Sequence, residues 1–381
     1  MARSLSNSRG NTPAGKRIVL VGGGGYVGCV LTEELLARGY SVRIIDRMFY
    51  GREPIAALEP RIELIDEDMR ELDVSHFEDC DAVVNLGGMS NDPTAEFNPR
   101  ANAEMNTHAS IRVAEMAKQA GVARHLFAST ASIYGRTEME GLLDEDAPVD
   151  PRAPYALSKY LAEQAILGLA DADFVSMAYR KGTVFGWSPR MRYDLVVNTF
   201  VKDAMMNRQL HLDSGGVMWR PLIDVRDVAR AYITALECDA DLVRGQMFNL
   251  AAVNVQIFEL AEITKAALAE IGIDVEIDFN AKPRPKRSYR MSFDKVREVL
   301  GFEAEVTVEA SIANIIAKVQ EHGQTNWTHP RYYNIEWMTL LESMVATIGR
   351  HGYVLEKPEF VGGDSMDDPF RQWASAVRVG G

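Results

Sequence analysis

Five glycines stand within seven residues near the start of the chain, in the stretch VLVGGGGYVG at residues 19–28. They follow directly on an apolar, β-branched run, and a helical pattern of apolar residues begins at Tyr26. Because glycine loses more backbone entropy on folding than other residues, such a cluster at the end of a strand requires a reason. A flexible linker and a tight turn that lets a ligand approach the backbone are the two candidates. The strand before the glycines and the helix after them favour the turn.

Three of these glycines, Gly22, Gly25 and Gly28, give the spacing G-x-x-G-x-x-G. That spacing meets three demands of a dinucleotide: a tight turn, N–H groups at a helix N-terminus facing a pyrophosphate, and close packing of helix on sheet. Asp46 ends the next predicted strand, where it can accept hydrogen bonds from a ribose diol and would repel a 2′-phosphate. We therefore predict NAD rather than NADP, although the neighbouring Arg47 counts against that preference. A plain glycine turn without a ligand is the alternative.

Strand-like apolar runs alternate with helical patterns from the start of the chain. This alternation predicts an α/β fold with a Rossmann-type, doubly wound parallel sheet and a smaller, interleaved C-terminal substrate-binding lobe. The predicted strands lie at 17–21, 41–46, 61–65, 82–86, 125–128 and 174–179, and the predicted helices at 26–38, 101–121, 154–169 and 224–236. The predicted regions are a disordered leader (1–16), an NAD-binding Rossmann domain (17–182, with about 223–251), a substrate-binding lobe (183–222 and 252–320) and a C-terminal extension of unknown role (321–381). Within the extension, Trp327, Tyr332, Tyr333 and Trp337 indicate a segment that docks on another surface, either over the site or at the dimer contact.

The composition argues against several classes of function. A net charge of −13 argues against a protein that binds nucleic acid or an anionic membrane. The three cysteines, Cys29, Cys80 and Cys238, lack the spacing of a metal site and indicate a reducing compartment. The polar N-terminus lacks the apolar region of a secretory signal, and no stretch approaches the roughly 20 apolar residues of a membrane span. We therefore expect a cytoplasmic protein without a bound metal.

A second pattern, YALSK at residues 155–159, carries potential acid–base chemistry. A spacing of four places Tyr155 and Lys159 on one face of a helix. An ammonium group beside a phenol lowers the phenol's pKa, which would make Tyr155 a general base near neutral pH. Upstream, Thr130 follows the predicted strand in FASTASIYG and could hydrogen-bond the same substrate oxygen. An exposed tyrosine on a surface helix is the alternative.

Several motifs follow one another along the chain: GGGGYVG with Asp46, EDMR (67–70), NLGG (85–88), STASIYG (129–135), YALSK (155–159), RKGTVFG (180–186) and WRPLIDVRDVA (219–229). Taken together, these motifs resemble those of the extended short-chain dehydrogenase/reductases, and within them the NAD-dependent nucleotide-sugar epimerases and dehydratases. The resemblance covers about residues 17–320. It implies a Rossmann domain with a small substrate lobe, NAD as cofactor, a nucleotide-diphosphate sugar as substrate, and a homodimer formed by the helices at 101–121 and 154–169.

Roles follow from this resemblance position by position. The implied catalytic residues are Thr130, Tyr155 and Lys159. The implied cofactor contacts are Gly22, Gly25, Tyr26, Val27, Gly28, Asp46, Arg47, Asp68, Met69, Leu86, Gly87, Asn106, Tyr155 and Lys159. The implied substrate contacts are Ser90, Asn91, Thr130, Ser132, Thr183, Asn198, Arg220 and Arg284. For Arg220 a salt bridge with Asp224 or Asp227 is the alternative to a phosphate contact.

The residues after Thr130 bear on the choice of reaction. The 4,6-dehydratases that this chain resembles carry an Asp-Glu pair there, and the UDP-glucuronate decarboxylases carry a Glu at the second position, whereas this chain has Ala131 and Ser132. We therefore predict an epimerase that passes through a transient keto-sugar. A dehydratase using Ser132 or Glu138 is the runner-up. A non-catalytic NAD-sensing or scaffold protein is an alternative of another class, and the retained Tyr155 and Lys159 argue against it.

Overall fold

The computed structural model describes residues 15–135, 141–280, 288–323 and 326–351. These form two compact units, of which one ends at Trp337 and the other begins at Met338. The strands are β1 (Arg17–Val21), β2 (Ser41–Ile45), β3 (Glu63–Ile65), β4 (Ala82–Asn85), β5 (Arg124–Thr130), β6 (Val175–Lys181), β7 (Thr183–Phe185), β8 (Gln209–Asp213), β9 (Trp219–Asp224), β10 (Gln246–Leu250), β11 (Val253–Gln256) and β12 (Glu276–Asn280). The helices are α1 (Tyr26–Ala37), α2 (Asp92–Phe97), α3 (Pro99–Ala103), α4 (Ser110–Gln119), α5 (Pro154–Leu167), α6 (Val196–Asn207), α7 (Val225–Glu237), α8 (Ala240–Val243), α9 (Ile257–Glu270), α10 (Asp294–Leu300), α11 (Val308–Glu321) and α12 (Asn334–His351).

Within the described residues, seven parallel strands form the central sheet in the order β10-β6-β5-β4-β1-β2-β3. Both faces of this sheet are buried, because Leu20 of β1 packs into the core on one face and Val19 and Val21 pack into the core on the other. The order of connection reverses between β1 and β4, and in sheets of this kind ligands bind at the carboxyl ends of the strands at that point. The Rossmann-type fold predicted from the sequence is confirmed.

Two local differences from the predicted elements have clear physical causes. Helix α1 ends at Ala37, because Gly39 takes φ +88° and lets the chain leave the helix. The helix predicted at 101–121 runs from Pro99 to Gln119, and its middle, Glu104–Ala109, is a π-helix. Single-turn π segments inside helices are frequent at functional sites, and this one contains Asn106.

Smaller sheets flank the central one. Strands β11, β9 and β7 form a mixed sheet, and β12 pairs with β8 in parallel. They contain Thr183, at the start of β7, and Arg220, in β9. The boundaries predicted for the substrate-binding lobe remain a prediction. No helix within the described ranges is both long and apolar enough to cross a membrane, and no group of three or more potential metal ligands occurs in the same ranges.

Residues 326–337, called here the C-terminal strap, lie against the first unit of which they are part. The ring of Tyr193 lies 5.1 Å from that of Trp327 and 5.3 Å from that of Tyr332 (centroid distances). The backbone N–H of Tyr193 also donates to the carbonyl of Tyr332 at 3.1 Å. The indole of Trp337 donates to the carbonyl of Phe49 at 2.7 Å. Three of the aromatic residues singled out in the sequence, Trp327, Tyr332 and Trp337, thus help to attach this segment.

Candidate active site

The glycine-rich turn joins β1 to α1 at the carboxyl edge of the sheet. Gly22 has φ +79°, and a Cβ built there would lie 2.8 Å from the Cα of Gly87. A Cβ at Gly28 would lie 2.6 Å from the Cα of Gly23, so neither position has room for a side chain. Gly25 is the N-cap of α1; among the described residues no side chain caps this end, and no acidic residue stands in its first turn. Such an N-terminus suits an anion, so the turn fits the pyrophosphate of a dinucleotide.

Tyr26 and Val27 follow Gly25 and begin α1. Tyr26 is buried, and its hydroxyl donates to the carbonyl of Gly186 at 2.6 Å. Val27 is partly buried against the main core. The backbone of Tyr26 also accepts a hydrogen bond from the Ser188 hydroxyl at 2.7 Å. The glycine-rich turn is thereby tied to the loop at 186–192.

Asp46 lies directly after β2 and next to the glycine-rich turn. Its carboxylate accepts hydrogen bonds from the backbone N–H groups of Gly24 (3.0 Å) and Met48 (2.9 Å). Burial raises the pKa of Asp46, and these two hydrogen bonds oppose that rise. The neighbouring Arg47 pairs with Asp68 at 2.9 Å and lies 5.3 Å from the ring of Phe49. A 2′-phosphate would have to compete with Asp68 for Arg47, so the geometry suits a ribose without that phosphate.

The residues after β3 form the predicted adenine side, and the residues after β4 form the predicted nicotinamide side. Hydrogen bonds from Arg70 lower the pKa of Asp68, which therefore stays ionised. Leu86 is partly buried and donates its N–H to Val21 at 2.8 Å, which sets the turn after β4 beside the turn after β1. A Cβ at Gly87 would lie 2.9 Å from the sulfur of Met69. An alanine at position 87 would therefore displace the buried Met69.

Thr130 and Tyr155 meet at the carboxyl end of β5. The side chain of Thr130 and the backbone of Asn91 both hydrogen-bond the phenol of Tyr155. Thr130 ends β5 and Tyr155 stands in the first turn of α5, where Pro154 begins the helix. The hydroxyl pair predicted from the sequence is therefore assembled in the structure.

Lys159 is one turn along α5 from Tyr155 and is 4% exposed. Its ammonium group lies 4.9 Å from the centroid of the Phe127 ring. A Cβ built at Gly88 would lie 3.7 Å from that ammonium group and would overlap the Oδ1 of Asn106. Gly88, which has φ +120°, thus makes room for the side chains of Lys159 and Asn106.

The pKa values correct one expectation. We expected Lys159 to lower the pKa of Tyr155, but burial raises that pKa, and the groups opposing the rise are chiefly Thr130 and Arg192. Burial also lowers the pKa of Lys159, to about 8. Both groups are removed from water at the same place, so each loses stabilisation of its charged form.

Asn106, in the π segment, is fully buried. Its amide NH₂ donates to the carbonyl of Met89 (2.9 Å) and to Oδ1 of Asn102 (2.7 Å). Its own Oδ1 has no hydrogen-bond partner in the described part of the chain. A buried acceptor without a partner costs free energy, so this oxygen fits a donor that a bound cofactor or water supplies beside Lys159.

On the substrate side, Ser90 and Asn91 form the turn that leads into α2. The Ser90 Oγ accepts hydrogen bonds from Arg192 (3.0 Å) and Asn334 (2.9 Å). Asn91 has φ +78° and caps α2 through its side chain, which accepts the N–H of Thr94. This capping leaves the backbone of Asn91 against Tyr155.

Asn198 differs from its predicted role as a substrate contact. It is fully buried, its Oδ1 accepts the N–H of Gly186 (3.0 Å), and its NH₂ donates to Tyr26 and to the carbonyl of Arg192. A side chain without exposed surface that uses both its donor and its acceptor internally cannot bind a substrate without leaving these partners. Asn198 instead holds the loop at 186–192 against the glycine-rich turn.

Arg220 does not form the salt bridge given as the alternative. Asp224 pairs with Arg226 at 2.9 Å, and Asp227 pairs with Arg230 at 2.6 Å. Burial lowers the pKa of Arg220, whose guanidinium donates to the carbonyl of Trp219 at 2.8 Å. Among the described contacts neither aspartate pairs with Arg220, and its role as a phosphate contact stays a prediction.

The remaining predicted substrate contacts are placed as follows. Thr183 is half-buried and pairs with Leu222 of β9. The N–H of Ser132 donates to Oγ1 of Thr130 at 3.2 Å, so Ser132 stands in the turn that Thr130 caps. Arg284 and Glu138 lie outside the described residues.

Arginines of the loop at 186–192 were missed by the sequence interpretation. Arg192 is buried, forms a two-pronged pair with Asp194 (2.9 and 2.8 Å) and contributes a positive charge near Tyr155. Arg190 is buried over the ring of Tyr50, 3.6 Å from its centroid. The available signal was SPRMR, two arginines at alternate positions soon after a predicted strand.

A buried ion pair beneath the site fixes the strands and helix that carry it. Arg180 of β6 pairs with Glu163 of α5 at 2.7 Å, and both side chains are almost fully buried. Glu163 also accepts a hydrogen bond from the Ser129 hydroxyl at 2.6 Å. Since Ser129 precedes Thr130, these contacts set the distance between the end of β5 and the start of α5.

Comparison with known proteins places this geometry in a family. The family model described as the NAD dependent epimerase/dehydratase family matches residues 18–251. UDP-glucuronic acid decarboxylase 1 of Xenopus tropicalis is 27% identical over 83% of this chain and 76% of its own length. UDP-glucose 4-epimerase of Lacticaseibacillus casei is 26% identical over 75% of this chain and 91% of its own.

The structure of UDP-glucuronic acid 4-epimerase from Bacillus cereus, in complex with UDP-glucuronic acid and NAD, has a similar fold, with a TM-score of 0.70 and 21% sequence identity. The match covers 80% of this chain and 99% of that one. The resemblance seen in the motifs is therefore confirmed, and with it NAD as the cofactor. The chain belongs to the NAD-dependent epimerase/dehydratase family.

Proposed function

We propose that this protein is an NAD-dependent epimerase that acts on a nucleotide-diphosphate sugar through a transient keto-sugar. The observation that carries the proposal is the meeting of the Thr130 and Tyr155 side chains at the end of β5, with Lys159 one helical turn away. The cofactor supplies the acceptor and donor of a hydride.

In this proposal Tyr155 takes the proton of a sugar hydroxyl, at C4 in our prediction, and returns it at the end of the cycle. Thr130 hydrogen-bonds the same oxygen. Burial opposes the phenolate, so the positive charge of Arg192 and the hydrogen bonds of Thr130 and Asn91 are what favour it. Lys159 holds its charge close to the same centre, and its place beside Gly88 and Asn106 fits the nicotinamide ribose.

Elimination of water would require an additional acid and base. The position after Thr130 is Ala131, which is fully buried, and the next is Ser132. Two carboxylates near the site are engaged, Asp194 with Arg192 and Glu163 with Arg180. Return of the hydride to the other face of the keto-sugar needs no carboxylate, which supports epimerisation over dehydration.

The cofactor and substrate contacts are proposed on the same basis. The glycine-rich turn would hold the pyrophosphate of NAD, Asp46 the adenosine ribose, Asp68 and Met69 the adenine, and Leu86 and Gly87 the nicotinamide side. Arg220 would bind the diphosphate of the sugar nucleotide, because a guanidinium matches phosphate oxygens. Ser90 and Asn91 would face the sugar.

We also propose a cytoplasmic homodimer. Helix α5 presents Leu157 and Leu161, which are 44% and 49% exposed, on a helix that the resemblance assigns to the dimer contact. Light scattering should then give the mass of a monomer for the variant Leu161→Glu. Leu242 on α8 is similarly exposed, and the variant Leu242→Glu should leave the dimer intact. A wild-type monomer would overturn this part of the proposal.

The reaction itself is tested by loading the protein with NAD and adding UDP-glucose, UDP-glucuronate, dTDP-glucose and GDP-mannose in turn. Transient NADH absorbance with one of them, and an epimeric product by NMR without net use of NAD, would support the proposal. A stable 4-keto-6-deoxy product would make the protein a dehydratase. Binding of NAD without reduction by any sugar nucleotide would favour the sensor or scaffold protein.

A further inference from the structure

The C-terminal strap places one buried side chain against the substrate side of the site. Asn334 is 4% exposed. Its Oδ1 accepts a hydrogen bond from Arg190 at 2.6 Å, and its NH₂ donates to the Oγ of Ser90 at 2.9 Å. The strap therefore joins two parts of the site, the turn after β4 and the loop at 186–192.

Ser90 passes this contact on to the reacting groups. Its Oγ also accepts a hydrogen bond from Arg192 at 3.0 Å, and the next residue, Asn91, contacts the Tyr155 phenol through its backbone. Arg192 is the buried cation that favours the ionised form of Tyr155. The hydroxyl of Ser90 thus links Asn334 to Arg192, a neighbour of the proposed general base Tyr155.

The strap is attached independently of Asn334. Tyr193, in the segment after Arg192, packs against Trp327 and Tyr332, and its N–H donates to the latter's carbonyl. The Trp337 indole donates to the Phe49 carbonyl at 2.7 Å. Removing the amide of Asn334 therefore leaves anchors on both sides of it.

We propose that the C-terminal strap forms one wall of the active site, and that Asn334 is a positioning residue that holds Ser90, Arg190 and Arg192 where the sugar nucleotide binds. The inference rests on the proposed function.

The expected signature is a change in KM rather than in kcat. Asn334→Ala leaves Tyr155, Thr130 and Lys159 in place but removes one hydrogen-bond partner from the buried Arg190 and one from the half-buried Ser90. A buried polar group that loses its partner weakens the arrangement it belongs to, and loss of binding common to ground and transition states raises KM. We expect KM for the sugar nucleotide to rise about tenfold.

The experiment uses the full chain loaded with NAD and the sugar nucleotide of the above panel that the wild type converts fastest. Asn334→Ala should raise KM about tenfold while kcat per bound NAD stays within about threefold. Asn326→Ala, an exposed asparagine of the same strap, is the matched control and should keep the wild-type KM. A wild-type KM in Asn334→Ala, or an equal rise in Asn326→Ala, would overturn the inference.

A double-mutant cycle tests whether Asn334 acts through Ser90. Combining Ser90→Ala with Asn334→Ala should raise KM by clearly less than the product of the two single effects, because both changes remove the Asn334–Ser90 hydrogen bond. Independent, multiplying effects would contradict the proposal. A merely structural role predicts instead a lower fraction of NAD-loaded protein with an unchanged KM.

Asn334→Asp is a second variant, which tests the inference if Asn334→Ala does not fold. It keeps the shape of the side chain and an acceptor for Arg190, but it cannot donate to Ser90 and adds a negative charge beside an anionic substrate. Its KM should rise, and a wild-type KM would overturn the inference.

If the wild type binds none of the sugar nucleotides, the proposed function fails; if it converts one and the Asn334 variants match it, only the inference fails.

Discussion

The cofactor side and the substrate side of this site are built in different ways. On the cofactor side, two backbone turns approach each other so closely that a Cβ at Gly22 would lie 2.8 Å from the Cα of Gly87. On the substrate side, side chains far apart in the chain meet at Ser90, which accepts hydrogen bonds from Arg192 and Asn334. A backbone cradle tolerates few substitutions, whereas a side-chain network can change partners. The difference explains how one family can keep its cofactor while its relatives bear the names of different reactions.

The variant Tyr155→Phe should give the largest difference between an effect on catalysis and an effect on NAD binding. It removes the proposed proton acceptor and nothing from the cofactor cradle, so kcat should fall about 1000-fold while NAD affinity stays within about twofold. Steady-state kinetics and NAD titration measure both. Tyr160→Phe, on the same helix, should keep its activity. A kcat within tenfold of wild type for Tyr155→Phe would show that Tyr155 is not the base.

The cofactor side should be the less tolerant of an added methyl group. Gly22→Ala combines a φ of +79° with a clash against the Gly87 backbone, so we expect a loss of about 3 kcal/mol in the free energy of unfolding and much weaker NAD binding. Chemical denaturation and NAD titration check this. Gly39→Ala shares a φ of +88° but has open space around its Cβ, and should cost about 1 kcal/mol without affecting NAD.

The buried Lys159, which lies between the two sides, should lower the protein's free energy of unfolding. Its pKa falls to about 8 in the folded protein, below its unfolded value, so the unfolded state binds more protons between these values and stability rises with pH across that interval. Lys159→Met should therefore stabilise the protein at pH 7 by about 2 kcal/mol, while activity is lost.

This advantage of Lys159→Met over the wild type should shrink as pH rises from about 8 towards 10, which unfolding curves at several pH values will show. Lys265→Met, on the exposed side of α9, should change stability by less than about 0.5 kcal/mol. An advantage that does not depend on pH would contradict the titration of Lys159.

The smallest effect is expected at Asp46. Asp46→Ala should weaken NAD about tenfold and leave NADP affinity unchanged or improved, because a ribose acceptor and a negative charge are both removed. Binding titrations with both dinucleotides measure the ratio. The control is Asp66→Ala, an exposed aspartate after β3. A wild type that already prefers NADP would contradict the ribose assignment.

Sequence reasoning succeeded where the determining contacts are local. The glycine spacing, Asp46 after the second strand and the Tyr155–Lys159 spacing all follow from the geometry of one turn or one helix. It failed at Asn198, because Tyr26 and Gly186, which occupy its amide, are visible only in three dimensions. It also failed at the pKa of Tyr155, because the degree of burial cannot be seen in a motif.

The contact between Ser90 and Asn334 spans 244 positions of the chain. A domain emerging from the ribosome can begin to fold before its last residues are made. The sheet and the glycine-rich turn can therefore assemble early, while the hydroxyl of Ser90 must wait for residue 334 before it gains its second donor. A chain ended before residue 326 would keep the residues of the cofactor cradle but would leave Ser90 without the hydrogen bond from Asn334.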